Sequence, residues 1–203
     1  MRIRAYPGEN RSFLWSNQDS GSLALSSLGN RTDGTRAIPA FFSLNGQRVL
    51  EDCFVSAPEG PDLFVGNASA IDFAPEGAYL FFSGDGDDRR ELSVSALLHE
   101  RAVYLALSGY RPGEGIGLVF SAAASTAGWT RREESGITVY YDARGFALAS
   151  SDPFDLTESE GDAVRCVPRA SASGSSRVSV EVFSLYCAFA GASPDPSRTP
   201  GEH

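Results

Sequence analysis

The chain has no lysine: all 17 of its Lys/Arg positions are arginine. A phosphate-cradling P-loop, a Schiff-base amine and a Ser-Lys dyad each need a lysine side chain, so all three are excluded. Histidine is nearly as scarce, with only His99 and His203 present. A Ser-His-Asp triad would have to use His99, and no Gly-x-Ser-x-Gly elbow accompanies it. Cysteine is limited to Cys53, Cys166 and Cys187. The absence of a Cys-x-x-Cys pair removes zinc-ribbon and thioredoxin-type sites. An odd count leaves an unpaired thiol in the monomer, and Cys53 is expected to be free and buried. Cys166–Cys187 is the bridge to test first, because both residues lie in strand-like runs near the C-terminus. No apolar run is long enough for a membrane helix, and Met1-Arg2-Ile3-Arg4 does not open into an apolar leader. Positive charge is short as well. Against 26 acidic residues the net charge is −9, which disfavours nucleic acid as a partner, since a phosphate backbone needs a basic face.

What is present reads as mainly β with little helix. The 21 glycines and 11 prolines punctuate short apolar runs. Residues 40–44 and 48–50 flank Asn45-Gly46, a strong hairpin signal. Residues 137–141 and 146–148 flank a second turn, Asp142-Ala143-Arg144-Gly145. Residues 177–190 form a final strand in which Val178, Val180 and Val182 alternate with Ser179 and Glu181. One helix is predicted over residues 89–101, with Leu92, Ala96 and His99 near one face and Asp87 or Asp88 as its cap. Residues 1–190 read as a single domain, and 191–203 as a disordered tail rich in proline. Two segments, 5–56 and 109–168, share an order of Tyr-Pro-Gly-Glu or Tyr-Arg-Pro-Gly-Glu, then Trp, Ser-Gly and Cys, which suggests a duplicated β unit.

The stretch from Val103 to Val167 carries most of the functional signal. Gly109-Tyr110-Arg111 is followed by Gly128-Trp129-Thr130, a tyrosine-rich strand, and Val164-Arg165-Cys166-Val167. This order resembles the C-terminal half of the Fibrobacter succinogenes major paralogous domain, one of the C-type-lectin-like group that includes variable proteins of diversity-generating retroelements. The resemblance implies a C-type-lectin-like fold and a displayed binding surface without catalysis. The alternative fold is an all-β sandwich or jelly roll.

The residues point the same way. Trp129 buries a large apolar area while its indole N–H needs a partner. Thr130, Arg131, Arg132, Glu133 and Glu134 follow it, a polar run of the kind found in a recognition loop on a rigid sheet. Tyr140 and Tyr141 are adjacent in a strand and must face opposite sides, so one enters the core and the other stands on the surface. These eight residues are the candidate ligand-binding set. In Val164-Arg165-Cys166-Val167, alternation places Val164 and Cys166 on the core face and leaves Arg165 to pair with a carboxylate. No metal site is expected. Counted from Asp85, the sixth and twelfth positions of an EF-hand loop fall on Arg90 and Ala96, where glycine and glutamate are needed. No cofactor is implied. The expected function is non-enzymatic recognition of a protein or carbohydrate surface ligand, adhesin-like or of the phage host-recognition type, at a cell surface or on a virion. A structural virion or assembly subunit, homo-oligomeric, is the other reading.

Overall fold

The computed structural model describes residues 1–16, 21–26, 42–44, 47–83, 89–97, 102–121, 128–142, 146–158, 163–169 and 177–184. They form two antiparallel sheets. The first runs, in spatial order, β1 (Ile3–Ala5), β7 (Ala70–Ala74), β8 (Gly77–Ser83), β9 (Arg89–Leu97), β10 (Ala102–Ser108), β17 (Arg177–Ser184), β14 (Phe146–Ser150), β13 (Ile137–Asp142) and β12 (Trp129–Glu134). The second runs β15 (Phe154–Glu158), β16 (Ala163–Pro168), β11 (Gly115–Phe120), β5 (Gln47–Ser56), β4 (Phe42–Leu44), β3 (Gly21–Ser26) and β2 (Ser12–Ser16), with β6 (Leu63–Phe64) paired on β5. The described part is a mainly-β, sandwich-like fold, and it contains no α-helix. No described helix is therefore long and apolar enough to cross a membrane.

Period-two patterning builds the core. Val103, Leu105 and Leu107 of β10 point inward, in register with Val182, Val180 and Val178 of β17. Ile116 and Leu118 of β11 lie opposite Cys166 and Val164 of β16 in the second sheet. Each such side chain contributes about 1.5–3 kcal/mol on full burial. Contacts between the sheets fix their alignment. At one end Phe13 stacks on Phe73 with ring centroids 4.2 Å apart, and Trp15 Nε1 donates to the Ala74 carbonyl at 2.8 Å. At the other end the Tyr140 ring lies 5.0 Å from that of Phe154, and the Tyr140 hydroxyl donates to the Phe154 carbonyl at 3.1 Å. These contacts set β2 against β7 and β15 against β13. β1 and β12 are the outermost strands of the first sheet, each one strand beyond the strand that makes these contacts.

A buried ion pair closes the turn between β10 and β11. Arg90 donates from Nε and Nη2 to the Glu114 carboxylate, at 2.8 and 2.7 Å. Glu114 also accepts the Arg111 backbone N–H at 2.8 Å. On the outer face of the second sheet Phe54 lies directly over Gly117, where a Cβ would meet its ring, and stacks on Phe64 at 4.8 Å.

The helix predicted over 89–101 does not form; residues 89–97 are β9. Its apolar residues satisfy a period of two better than one of 3.6. Leu92 and Val94 are buried, and each has partners on both sides, Leu80 with Leu107 and Ala78 with Leu105. Residues 98–101 lie outside the described residues. The Asn45-Gly46 hairpin has its flanking strands in register, with Leu44 opposite Gln47. The second hairpin likewise pairs Tyr141 with Ala147. Residues 45–46 and 143–145 are outside the description, as are 185–203, which include the end of the expected final strand and the tail. Arg165 does pair with a carboxylate, donating to Asp62 at 3.0 Å. Cys53 and Cys166 are free buried thiols. The Cys166–Cys187 bridge is therefore not made; Cys187 itself is outside the described residues. Of the two proposed repeat units, the first has β2–β5 in the second sheet, whereas the second has β11, β15 and β16 there and β12–β14 in the first sheet.

Candidate functional site

Residues 129–134 form an edge strand, β12, and not the loop expected of them. The hairpin that presents it is legible locally. Glu134 pairs with Ile137, and the connection is Ser135-Gly136, both at positive φ, 51° and 82°. A two-residue turn of this hand matches the twist of its strands. The four charged side chains had pointed to a loop, yet a charged run is also how proteins write an edge strand.

Alternation divides the candidate residues between two faces. Trp129, Arg131 and Glu133 lie on the inner face, opposite Asp142, Tyr140 and Thr138. Thr130 and Arg132 lie on the outer face, opposite Tyr141 and Val139. Tyr140 is buried and spans the sheets: besides donating to Phe154, its hydroxyl accepts the Leu156 N–H at 3.3 Å. Tyr141 is half-buried on the outer face, with the Arg132 guanidinium 5.5 Å from its ring centroid. That is a diagonal cross-strand pair held by cation–π attraction. Thr130, Arg131, Arg132 and Glu133 are exposed. Nothing is described of the Glu134 side chain.

Trp129 is half-buried, its ring 5.8 Å from that of Phe120, which in turn lies 5.9 Å from Phe146. Its indole N–H is buried and has no hydrogen-bond partner among the described residues. A buried donor left unmade costs about 1–3 kcal/mol.

The inner face of β12 meets the rim of the second sheet in a charged cluster. Arg131 pairs with Glu133. Glu133 also accepts the Thr138 hydroxyl at 3.2 Å. Across the gap Arg169 donates to Asp155 from Nε at 2.8 Å and from Nη2 at 2.5 Å. The Arg169 hydrogen bonds hold the Asp155 carboxyl below its usual value despite partial burial, and Arg131 adds to the effect. Sequence reasoning missed Thr138, Asp155, Arg169, Phe120 and Phe146. No spacing brings them to Trp129; only the alignment of β12 with β15 and β11 does. Among the described residues no group of His, Cys, Asp and Glu is placed to hold a metal, and His99 and His203 lie outside them. No protein-family model matches the chain, and no curated protein matches it in sequence.

Proposed function

We propose that the protein is a non-enzymatic recognition protein, adhesin-like or of the phage host-recognition type. Its ligand site lies on β12 and the adjoining outer face of the first sheet. The observation that carries this is the exposure of Thr130 and Arg132 on β12, the edge strand of the first sheet, beside Tyr141. Its outer face offers Thr130, Arg132 and Tyr141 together, on rigid strands. An aromatic ring beside a guanidinium and a hydroxyl suits a glycan: the ring takes the C–H face of a sugar and the polar groups take its hydroxyls. The resemblance of residues 103–167 to the C-type-lectin-like group supports a recognition role, as a proposal of kinship.

The division of faces refines the roles. Arg132 and Tyr141 are ligand contacts, Tyr140 is a core residue, and Arg131 and Glu133 brace the rim. The test is a glycan array with the purified protein, followed by titration of the best glycan against variants. Arg132→Ala and Tyr141→Ala should each weaken binding about tenfold or more, with the melting temperature unchanged for Arg132→Ala, whose side chain is exposed, and lowered for Tyr141→Ala, whose ring is half-buried. An array without a hit removes the glycan, and binding unaffected by either substitution removes the site.

A further inference from the structure

The order of charges along β12 has a consequence for self-association. Among the described edge strands, β1 has three residues. β15 carries two acids, Asp155 and Glu158, and no base. β2 has five residues and no charge to set its register. β12, with six residues, is the longest of them. Its sequence is Trp-Thr-Arg-Arg-Glu-Glu, with zero net charge from Arg131 to Glu134. A strand guarded by charges of one sign repels its own copy. This one does not.

We propose that β12 pairs antiparallel with β12 of a second copy, about a two-fold axis at Arg132. In an antiparallel pair, opposed residues must share a face. Centring on Arg132 obeys this and sets Arg131 opposite Glu133 of the other copy, twice, on the inner face. On the outer face Arg132 opposes Arg132 of the other copy on the axis, a like-charge contact, and Glu134 of each copy lies diagonal to it as the counter-charge. Opposed and diagonal opposite-charge pairs stabilise a sheet, and four such pairs stand against the one Arg132 contact. The first sheet becomes continuous across the dimer. With β12 of each copy between them, the two β13 strands stand three strand spacings apart, about 14 Å. That leaves the second sheets clear of each other, with room between them for Arg131, Glu133 and Arg169. On the outer face Thr130, Arg132 and Tyr141 of both copies become neighbours, so the ligand surface is shared across the axis. The dimer uses the same edge as the recognition reading but does not depend on its glycan.

Light scattering after size exclusion should give twice the 21.6 kDa of the chain. Arg131→Glu should weaken dimerisation about tenfold or more by placing two carboxylates opposite each other. The double exchange Arg131→Glu with Glu133→Arg should restore it, since opposite charges again face across the axis. Arg132→Cys should oxidise to a covalent dimer, because that position opposes itself at a Cα separation of about 4.5–5.5 Å. Thr130→Cys should not, because its own mate lies four registers away. Circular dichroism of each variant checks that the fold is retained. A monomer at all concentrations, a dimer indifferent to Arg131→Glu, or equal crosslinking at both positions would overturn the proposal. A monomer that binds glycan leaves the recognition reading standing alone. A dimer that binds none does the reverse.

Discussion

Removing the Glu114 carboxylate should unfold the protein well below its normal temperature. Glu114 accepts from Arg90 Nε, Arg90 Nη2 and the Arg111 N–H, and both side chains of the pair are only 7% exposed. Glu114→Ala takes three charge-assisted hydrogen bonds from the buried pair, two from the Arg90 guanidinium and one from the Arg111 amide. Breaking a buried pair from one side costs about 3–5 kcal/mol. That is a large part of the roughly 5–15 kcal/mol by which a domain is stable. For a chain of this size, each kcal/mol moves the melting temperature by about 2–4 °C, so a fall of about 6–20 °C is expected. Urea denaturation followed by circular dichroism measures the free energy directly. The double variant Arg90→Met with Glu114→Leu should recover most of the loss, because it removes both desolvated charges and keeps the volume. A loss below about 1 kcal/mol for Glu114→Ala, or a double variant worse than either single one, would refute the claim that the cost lies in the broken pair.

The same carboxylate gives a pH dependence. Burial works to raise its pKa, but the hydrogen bonds from Arg90 and the Arg111 N–H, with the charges of both arginines, outweigh burial and hold it below its usual 4.5. Its contribution to stability is therefore complete above about pH 4.5 and is lost as pH falls through the lower folded-state value. An acid titration of Glu114→Gln should lack that part of the wild-type loss. Gly117→Ala should cost about 1–3 kcal/mol, because the new methyl must displace the Phe54 ring; an unchanged urea midpoint would show that the ring moves freely. Cys53 and Cys166 should resist alkylation in the native protein, since burial pushes both thiols above their usual range, with the charge of Asp52 adding to the effect at Cys53. Mass spectrometry should find both modified only after denaturation, and rapid native labelling of either would contradict their burial. Trp129→Phe should leave stability unchanged or raise it, because it keeps a ring against Phe120 while deleting the unpartnered N–H; a marked fall would mean that the indole is bonded.

Much of the fold was legible in the sequence because a strand writes its burial with a period of two. The inward valines of β17, the pairing of residues 137–141 with 146–148, and Val164 and Cys166 facing the core were all readable from alternation alone. So was the division of Tyr140 and Tyr141 between faces, though not which tyrosine took which. The helix over 89–101 was misread because Leu92 and Ala96 fit either period when Val94 is given little weight. What decides it is that β9 has neighbours on both sides, and those neighbours are distant in sequence. The segment after Trp129 was read as a loop because four charges in a row look the same on a loop and on an edge strand. Only the sheet order shows that, among the described residues, no strand lies beyond it.

The sequence by itself determined the absence of lysine chemistry and the mainly-β class. It could do so because residue type and local periodicity are properties of neighbours along the chain. The tertiary structure alone decided that Arg132 and Tyr141 share a face, that Asp155 and Arg169 meet the rim of β12, and that Trp129 packs on Phe120 of the other sheet. Those relations depend on how two sheets align, and the alignment is set by contacts such as Phe13 on Phe73 and Tyr140 on Phe154. The first joins residues far apart in the chain, and the second joins strands of different sheets, so no local pattern encodes either one.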